Sequence, residues 1–410
     1  MKKSETGLHR LPCNVWVVTA TSCLTDISSD MIFSLVPLFL ANALKAGTAV
    51  IGLIDGLAET TASLMKIYSG ALSDRLGARK WITVAGYALS AFSKPFLYAA
   101  NAWSWVLAVR IADRLGKGVR TAPRDALVAD SINEEQRGLA FGLHRAGDTA
   151  GAFIGVLIAA AVVWMTERGA ADLTRRTFQI AVLVSIIPGF LAVLVLAMGA
   201  KDTGIRGRSK VPVLNLKGLN RRFRLFMLAL MLFTLGNSSD AFIILLGQNR
   251  GLKILEIMFM LVTFNLIYSA LAGPLGALSD KLGRRRLIIG GWTAYGLVYL
   301  GFALSKTGWQ VWALFGLYGA YYAATEGAAK ALIADLVPAD QRGKAYGIYN
   351  AAIGLTAFPA SFIAGLLWQG AFGWSGFGPS APFLFGACLA LLAGVLFWRL
   401  VRNQPHGLNR

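Results

Sequence analysis

The chain of 410 residues is 56% hydrophobic and 15% charged, with a mean hydropathy of +0.57 and a formal net charge of +19. A soluble domain carries about 25% charged residues, so this composition excludes an ordinary soluble protein and indicates membrane-spanning segments. The basic residues lie mainly in the connections between apolar segments, which argues against nucleic-acid binding, and the three unpaired cysteines indicate neither disulfides nor a metal site. We expect no cofactor.

Apolar segments of membrane-spanning length recur along the whole chain and predict twelve transmembrane helices. They cover about residues 13–41, 48–72, 81–100, 103–129, 139–165, 178–199, 223–247, 255–278, 287–305, 309–336, 344–368 and 382–400. Lys and Arg concentrate at the start and in every second connection, which predicts that both termini lie in the cytoplasm. The basic segment 201–222 is predicted to be a cytoplasmic linker between two six-helix halves, residues 1–200 and 223–410.

Acidic residues lie at membrane depth in helices 1 and 2. Asp26 and Asp30 are four residues apart and share one face of helix 1, and Glu59 lies in helix 2. Buried carboxylates are costly in a membrane unless they are protonated or paired. We therefore interpret these three residues as proton-coupling groups, with ion pairs to helix 4 or 5 as the alternative.

A short charged connection after helix 2 recurs after helix 8. The first copy contains Gly70, Asp74, Arg75, Gly77 and Arg79, and the second, 206 residues later, contains Gly276, Asp280, Lys281 and Gly283. We expect these residues to act in gating. Asp74 would favour the positive end of a neighbouring helix, helix 11 of the other half, and the basic residues would hold the turn at the anionic cytoplasmic surface. The alternative is an ordinary positive-inside turn.

Three further landmarks repeat in the same order. Ser28-Ser29-Asp30 matches Ser238-Ser239-Asp240, and the segments 126–130 and 136–138 match 331–335 and 341–343 at an offset of 205 residues. A duplicated hydrophobic chain with duplicated turns is typical of transporters that are built from two parallel halves.

Helix 4 carries a charged face at membrane depth. Arg110, Asp113, Arg114 and Lys117 follow helical spacing, so one side of the helix is charged over two turns. Such a face must line water or bind partners. The repeat places uncharged residues at the corresponding positions of helix 10: Phe315, Tyr318 and Gly319.

This asymmetry indicates that the charges of helix 4 serve function and not the fold. We interpret Arg110 and Arg114 as substrate-binding residues and Asp113 as a proton-coupling residue, with structural pairing as the alternative. Arg120 and Arg124 lie nearer the cytoplasm, and we expect them to join the gate around Asp74.

Further candidates lie in helices 5, 7 and 10. His144 and Asp148 share a face of helix 5, and His titrates near physiological pH, so we assign both to proton coupling, with a structural hydrogen bond as the alternative. Arg145 is assigned to substrate binding. In the second half, Asp240 is the repeat partner of Asp30, and we assign it and Tyr318 to substrate contact, with packing as the alternative for the tyrosine.

The chain resembles the major facilitator superfamily over essentially its full length. The hinge Gly70 to Lys80 matches the superfamily signature between helices 2 and 3, and the helix 4 sequence Asp113-Arg114-Leu115-Gly116-Lys117-Gly118-Val119-Arg120-Thr121-Ala122-Pro123-Arg124-Asp125-Ala126 resembles a prokaryotic branch of it. The resemblance implies an all-helical fold of two six-helix bundles that rock about a central cavity, usually driven by a proton gradient.

The sequence thus predicts a proton-coupled secondary transporter in the cytoplasmic membrane, and we expect a monomer. The excess of Arg and Lys on helices 4 and 5 favours a small anionic organic solute. Two alternatives within transport are a divalent metal ion, held by Asp26, Asp30, His144 and Asp148, and multidrug efflux. A membrane-embedded enzyme is disfavoured because only one of the three His residues lies inside the membrane.

Overall fold

The computed structural model describes residues 11–203, 218–338, 341–371 and 373–402. Within these ranges twelve helices follow one another in the predicted order. They are α1 (Cys13–Ala43), α2 (Thr48–Leu76), α3 (Arg79–Ser93, continued by a 3-10 helix over Lys94–Ala99), α4 (Trp103–Asp130), α5 (Arg137–Thr166), α6 (Arg175–Gly199), α7 (Arg221–Asn249), α8 (Ile254–Leu282), α9 (Arg284–Leu304), α10 (Gly308–Leu336), α11 (Arg342–Gln369) and α12 (Ala381–Arg402). The predicted fold class is confirmed.

The helices have the length and surface of membrane spans. In the described part of the chain, eight of them are long and apolar enough to cross a membrane, namely α1, α5, α6, α7, α8, α9, α11 and α12. α6 exposes large apolar side chains, among them Ile187 at 69% and Met198 at 82%, which suits contact with lipid and not with water. The chain is a multi-pass membrane protein.

Two helices that the sequence predicts to be continuous are interrupted. α1 is α-helical over Cys13–Phe33, resumes at Val36–Leu38 and ends in a π-helical turn over Phe39–Ala43. Pro37 lies in the short middle segment, where its missing N–H cannot complete a regular helical ladder.

α7 is divided into Arg221–Gly236 and Ala241–Asn249. The four residues between them are Asn237-Ser238-Ser239-Asp240, whose side chains compete with the backbone for hydrogen bonds. Ser239 Oγ accepts from the backbone N–H of Ala241 at 3.2 Å. The repeated Ser-Ser-Asp sequence therefore has two conformations, since Ser28, Ser29 and Asp30 lie inside the continuous first segment of α1.

The chain divides into two compact units. Unit 1 takes in the described parts of Met1–Ala46, Leu57–Val211 and Lys253–Asn265, and unit 2 takes in those of Gly47–Gly56, Pro212–Leu252 and Leu266–Arg410. In unit 1, α1 packs on α5 and α6, and α3 packs on α4 and α6. In unit 2, α7 packs on α11 and α12, and α9 packs on α10 and α12, so the helix pairs correspond one to one between the two units.

Candidate functional site

The charged face of α4 approaches α2 and α3 closely because of two glycines. Gly116 lies against the backbone of Gly86 and Ser90 on α3, and Gly118 lies against Ala62 on α2. A Cβ at either glycine would overlap these backbone atoms. α4 can therefore carry charged side chains into the interior of unit 1.

Two arginines of α4 meet an aromatic ring at the end of the first segment of α1. The guanidinium carbon of Arg110 lies 4.2 Å from the centre of the Phe33 ring, and that of Arg114 lies 5.4 Å from it. Arg110 is 5% exposed. Both distances are in the range of a cation–π interaction, which holds the two cations side by side. Phe33 was missed by the sequence analysis because one Phe in an apolar helix carries no distinguishing signal.

Arg114 also forms an ion pair with Glu59 of α2. Its Nη2 lies 3.1 Å from Glu59 Oε1, and the Glu59 side chain is half exposed whereas that of Arg114 is 13% exposed. The predicted alternative for Glu59, an ion pair to helix 4, is thus present in the structure. The carboxylate of this ion pair is therefore open to its surroundings, whereas the guanidinium is largely enclosed.

A second charged cluster joins α1, α4 and α5. His144 is buried, and its Nε2 lies 3.7 Å from Asp148 Oδ2, a distance that suits an ion pair only when the imidazole is protonated. Arg124 donates to Ser22 Oγ at 3.0 Å and pairs with Asp125 at 2.9 Å. Neither ring nitrogen of His144 has a hydrogen-bond partner among the described residues. Arg145, the neighbour of His144, is exposed.

The metal alternative is not supported by this arrangement. In the part of the chain that the structure describes, no three His, Cys, Asp or Glu side chains gather as metal ligands. Asp26, Asp30, His144 and Asp148 are thus not gathered as a set of metal ligands in the described part of the chain, and the divalent cation stays an untested alternative.

The first hinge is organised by Arg79, the first residue of α3. Its guanidinium donates to Asp74 Oδ1 at 3.2 Å, to Asp130 and to the carbonyl oxygen of Ala126 at 3.2 Å. Arg79 is 7% exposed, and Arg75 is exposed. The side chain thus ties the turn after α2 to the C-terminal end of α4.

Arg120 and Arg124 do not take the predicted place beside Asp74. Arg120 donates to Ser90 Oγ at 2.8 Å and lies 4.4 Å from the centre of the Tyr87 ring, while Arg124 contacts Ser22 and Asp125. Gly70 lies beside Ala122 of α4, in the same unit. Arg120 thus contacts α3 and Arg124 contacts α1.

The second hinge repeats these contacts. Arg284, the first residue of α9, donates to the carbonyl oxygen of Ala331 at 3.0 Å and pairs with Asp335 at 2.5 Å. Both partners lie 205 residues after Ala126 and Asp130. The contacts of Gly276 and the side chains of Asp280 and Lys281 are outside what the structure describes.

These contacts correct the alignment of the two hinges. An alignment of the two copies without a gap pairs Arg79 with Arg285. The contacts in the structure show instead that Arg79 corresponds to Arg284. The hinge glycines Gly77 and Gly283 both have positive φ, 64° and 84°, which an L side chain rarely adopts. The first copy has one extra residue after its glycine, and the offset of the repeat changes there from 206 to 205.

The corresponding interior of unit 2 is aromatic. Tyr318 is buried and its hydroxyl donates to Asp240 Oδ1 at 3.2 Å, beside the interruption of α7. The Tyr295 hydroxyl donates to the carbonyl oxygen of Gly236 at 3.1 Å, and the Tyr295 and Tyr299 rings stack at 4.1 Å. The tyrosines therefore satisfy backbone and carboxyl groups that the broken helix leaves exposed.

The first turns of α2 also belong to unit 2. Ser239 Oγ donates to Asp55 Oδ2 at 2.8 Å, and Thr48 Oγ1 donates to the carbonyl oxygen of Gly365 at 2.8 Å. Gly52 lies against the backbone of Ser361 on α11. The Gly52 and Gly56 spacing in the sequence was the signal for this close helix contact, which the sequence analysis did not use.

Comparison with known proteins identifies the family. The sequence model of the Major Facilitator Superfamily matches residues 18–253 and 225–410. The chain belongs to this superfamily. An uncharacterized MFS-type transporter of Methanocaldococcus jannaschii is 33% identical over 403 residues, which are 97% of each chain. The predicted resemblance is therefore confirmed at the level of the superfamily.

Solved structures share the fold at low identity. The nucleoside transporter NupG superposes with a TM-score of 0.80 at 12% identity, over 94% of this chain and 99% of that one. A D-xylose–proton symporter superposes with a TM-score of 0.72 at 16% identity, over 94% and 97%. The chain is a secondary transporter of the Major Facilitator Superfamily.

Proposed function

We propose that the chain carries a small organic anion across the cytoplasmic membrane together with protons, by alternating access of the halves 1–200 and 223–410 about the linker 201–222. The observation that carries this proposal is the pair of arginines, Arg110 and Arg114, on one aromatic ring of unit 1. A planar guanidinium with low exposure binds carboxylate or phosphate in a bidentate manner.

The Arg114–Glu59 ion pair supports a coupling mechanism. An anion that binds Arg114 competes with Glu59 for the same guanidinium, whose Nη2 now lies 3.1 Å from the carboxylate. Once it is displaced, Glu59 loses its counter-charge and takes up a proton more readily. One anion and one proton would thus enter the cavity together.

Other charged groups have supporting roles in this proposal. Asp26, Asp30 and Asp113 are proposed to share the proton-coupling role, as are His144 and Asp148, whose contact depends on the protonation of the imidazole. Asp240, Tyr318 and Arg145 are proposed as further solute contacts. Each of these assignments is tested by neutral variants in the assay described next.

Gating is proposed to act through the two hinges. Arg79 ties α2 and α3 to the end of α4, and Arg284 makes the same contacts at the end of α10. Each hinge joins corresponding helix ends within its own half. These contacts would therefore keep each half rigid while it moves. Both termini are proposed to be cytoplasmic, on the strength of the basic connections.

The test is transport by the full chain in proteoliposomes. Inorganic phosphate, succinate and glucose 6-phosphate serve as anionic probes, and glucose and choline as neutral and cationic ones. We expect uptake of at least one anion that rises with an inward proton gradient and falls about 100-fold in Arg114→Ala, because a charge-assisted pair is lost. Arg168→Ala is the control, since Arg168 is exposed and lies over Trp164 outside this site. Gradient-driven uptake of choline alone, or anion uptake that is unchanged in Arg114→Ala, would contradict the proposal.

A further inference from the structure

A buried lysine that the sequence analysis passed over lies at the end of α3. Lys94 is 1% exposed and begins the 3-10 helix Lys94–Ala99. Its Nζ donates to Ser28 Oγ at 3.0 Å and to Ser29 Oγ at 2.8 Å, both on α1. No ion pair to Lys94 is found among the described residues. A buried ammonium normally has a carboxylate partner, because removing its charge from water is costly.

Hydroxyl partners fit both protonation states of an amine. A serine hydroxyl can accept from an ammonium, and it can also rotate and donate to a neutral amine. A carboxylate partner would accept only and would hold the lysine in its charged form. The contacts with Ser28 and Ser29 therefore allow Lys94 to lose and regain a proton without leaving a polar group unsatisfied.

The surroundings of Lys94 carry charges of both signs. The ionisable groups that face it are Asp26 and Asp30 on α1, and Asp113 and Arg120 on α4. α6 packs on the same turn and has no ionisable residue between positions 178 and 198. The charge of Lys94 is thus balanced by acids at a distance, and the protonation of those acids changes its environment.

The second half places an uncharged residue at the same position. Lys94 lies fifteen residues after the first residue of α3, and the residue fifteen positions into α9 is Tyr299. Tyr299 is buried and stacks on Tyr295 at 4.1 Å. The fold therefore does not require an amine at this place, which indicates that Lys94 serves the function of the first half.

We propose that Lys94 exchanges a proton during the transport cycle and that its change of charge moves the segment of α1 from Ser28 to Phe33. This inference rests on the proposed proton coupling. In one state the ammonium gives a proton to water on one side of the membrane, and in the other the amine takes a proton from water on the opposite side. The serine hydroxyls keep their own protons throughout.

The segment that Lys94 holds leads directly to the arginines. Ser29 contacts Lys94, and Phe33, one helical turn further on, lies under Arg110 and Arg114. The first segment of α1 ends at Phe33 and the helix resumes at Val36, so this turn lies directly before the interruption of α1. Loss of the ammonium charge would thus change the position of the ring on which the anion-binding arginines rest.

The direct test is the protonation of Lys94 itself, in the full chain in lipid nanodiscs with lysines labelled at Nζ with ¹⁵N. The signal that disappears in Lys94→Gln identifies the residue. Because the serine hydroxyls fit both forms, we expect this signal to change from that of an ammonium to that of an amine as the pH is raised through the physiological range. A signal that remains that of an ammonium over the whole range would overturn the proposal. This experiment needs no transport, so it decides the inference even when no anion flux is found.

Transport separates proton exchange from a structural role. With the anion that wild type accumulates, we expect Lys94→Gln to keep counterflow exchange within about twofold and to lose at least about tenfold of gradient-driven accumulation. Lys306→Gln is the control, since Lys306 is exposed. Equal losses of counterflow and accumulation would identify a structural role and overturn the proposal, as would full accumulation in Lys94→Gln. Anion uptake that needs no proton gradient in wild type would instead contradict the proposed coupling.

Discussion

The two halves of the chain share their helix packing and differ in the chemistry of their interiors. At three matched positions unit 1 has Lys94, Arg110 and Asp113, where unit 2 has Tyr299, Phe315 and Tyr318. The hinge contacts are the same in both, from Arg79 to Ala126 and from Arg284 to Ala331. The difference teaches that the repeated contacts support the fold, whereas the charges at these three positions are present in unit 1 and are not required by the fold of unit 2.

The largest expected effect on anion uptake comes from replacing Arg110 of unit 1 with the phenylalanine that unit 2 has at the matched position. Arg110→Phe places the second-half residue in a site that already contains the Phe33 ring at 4.2 Å from the guanidinium. We expect the chain to fold and insert, because Phe315 is buried at the matched position, and anion uptake to fall by about 100-fold or more. Size-exclusion profiles and proteoliposome uptake check the two parts separately.

Retained anion uptake in Arg110→Phe would contradict the claim that Arg110 binds the anion. Failure of the variant to fold would contradict the claim that the fold needs no charge at this position, because the matched position of unit 2 accepts Phe. Arg110→Lys provides a matched control that keeps the charge and loses the bidentate geometry, and we expect an intermediate loss of uptake.

The hinges should differ in strength although their contacts correspond. The Arg79 side chain is 9% exposed and binds two carboxylates, while that of Arg284 is 31% exposed and Asp335 is 54% exposed. We expect Arg79→Ala to lower the free energy of unfolding by about 3 kcal/mol, since it leaves carboxylates poorly solvated, and Arg284→Ala by at most about 1 kcal/mol. Thermal unfolding in detergent measures both, and equal losses would show that exposure does not separate the two hinges.

The smallest expected effect lies in the aromatic interior of unit 2. Tyr295→Phe removes the hydrogen bond to the carbonyl oxygen of Gly236 at 3.1 Å and keeps the stacking on Tyr299. We expect a loss of about 1 kcal/mol in the free energy of unfolding and no change in the pH dependence of uptake. A changed pH dependence would mean that the tyrosines take part in coupling, and the contrast between the two interiors would then be wrong.

The sequence predicted the helices well and their interiors less well. The ends of α4 and α10 were predicted within a residue or two, because apolar periodicity and polar connections determine them. The interruption of α7 was not predicted, although Asn237 to Asp240 are residues that compete with helical hydrogen bonds. The pairing of Glu59 with Arg114 was left open, since it depends on how closely two glycines bring α4 to its neighbours.

Lys94 shows why the remainder of the site could not be predicted. In the sequence it is one lysine before a proline at the end of an apolar segment, where positively charged residues are common at the membrane surface. Only packing on α1 and α6 shows that it is buried and that two serine hydroxyls are its partners. The internal repeat could have singled out Lys94. Once the alignment allows for the extra residue after Gly77, Lys94 corresponds to the uncharged Tyr299.

The most direct test of coupling is the proton movement that accompanies the anion. Proteoliposomes are loaded with a pH-sensitive dye, and the anion that wild type accumulates is added outside without an imposed gradient. We predict that anion entry acidifies the interior in wild type, and that Glu59→Gln keeps counterflow exchange but lowers the acidification per anion, because the carboxylate displaced from Arg114 is then missing. Anion entry by wild type with no change of internal pH, or an unchanged acidification per anion in Glu59→Gln, would contradict the account.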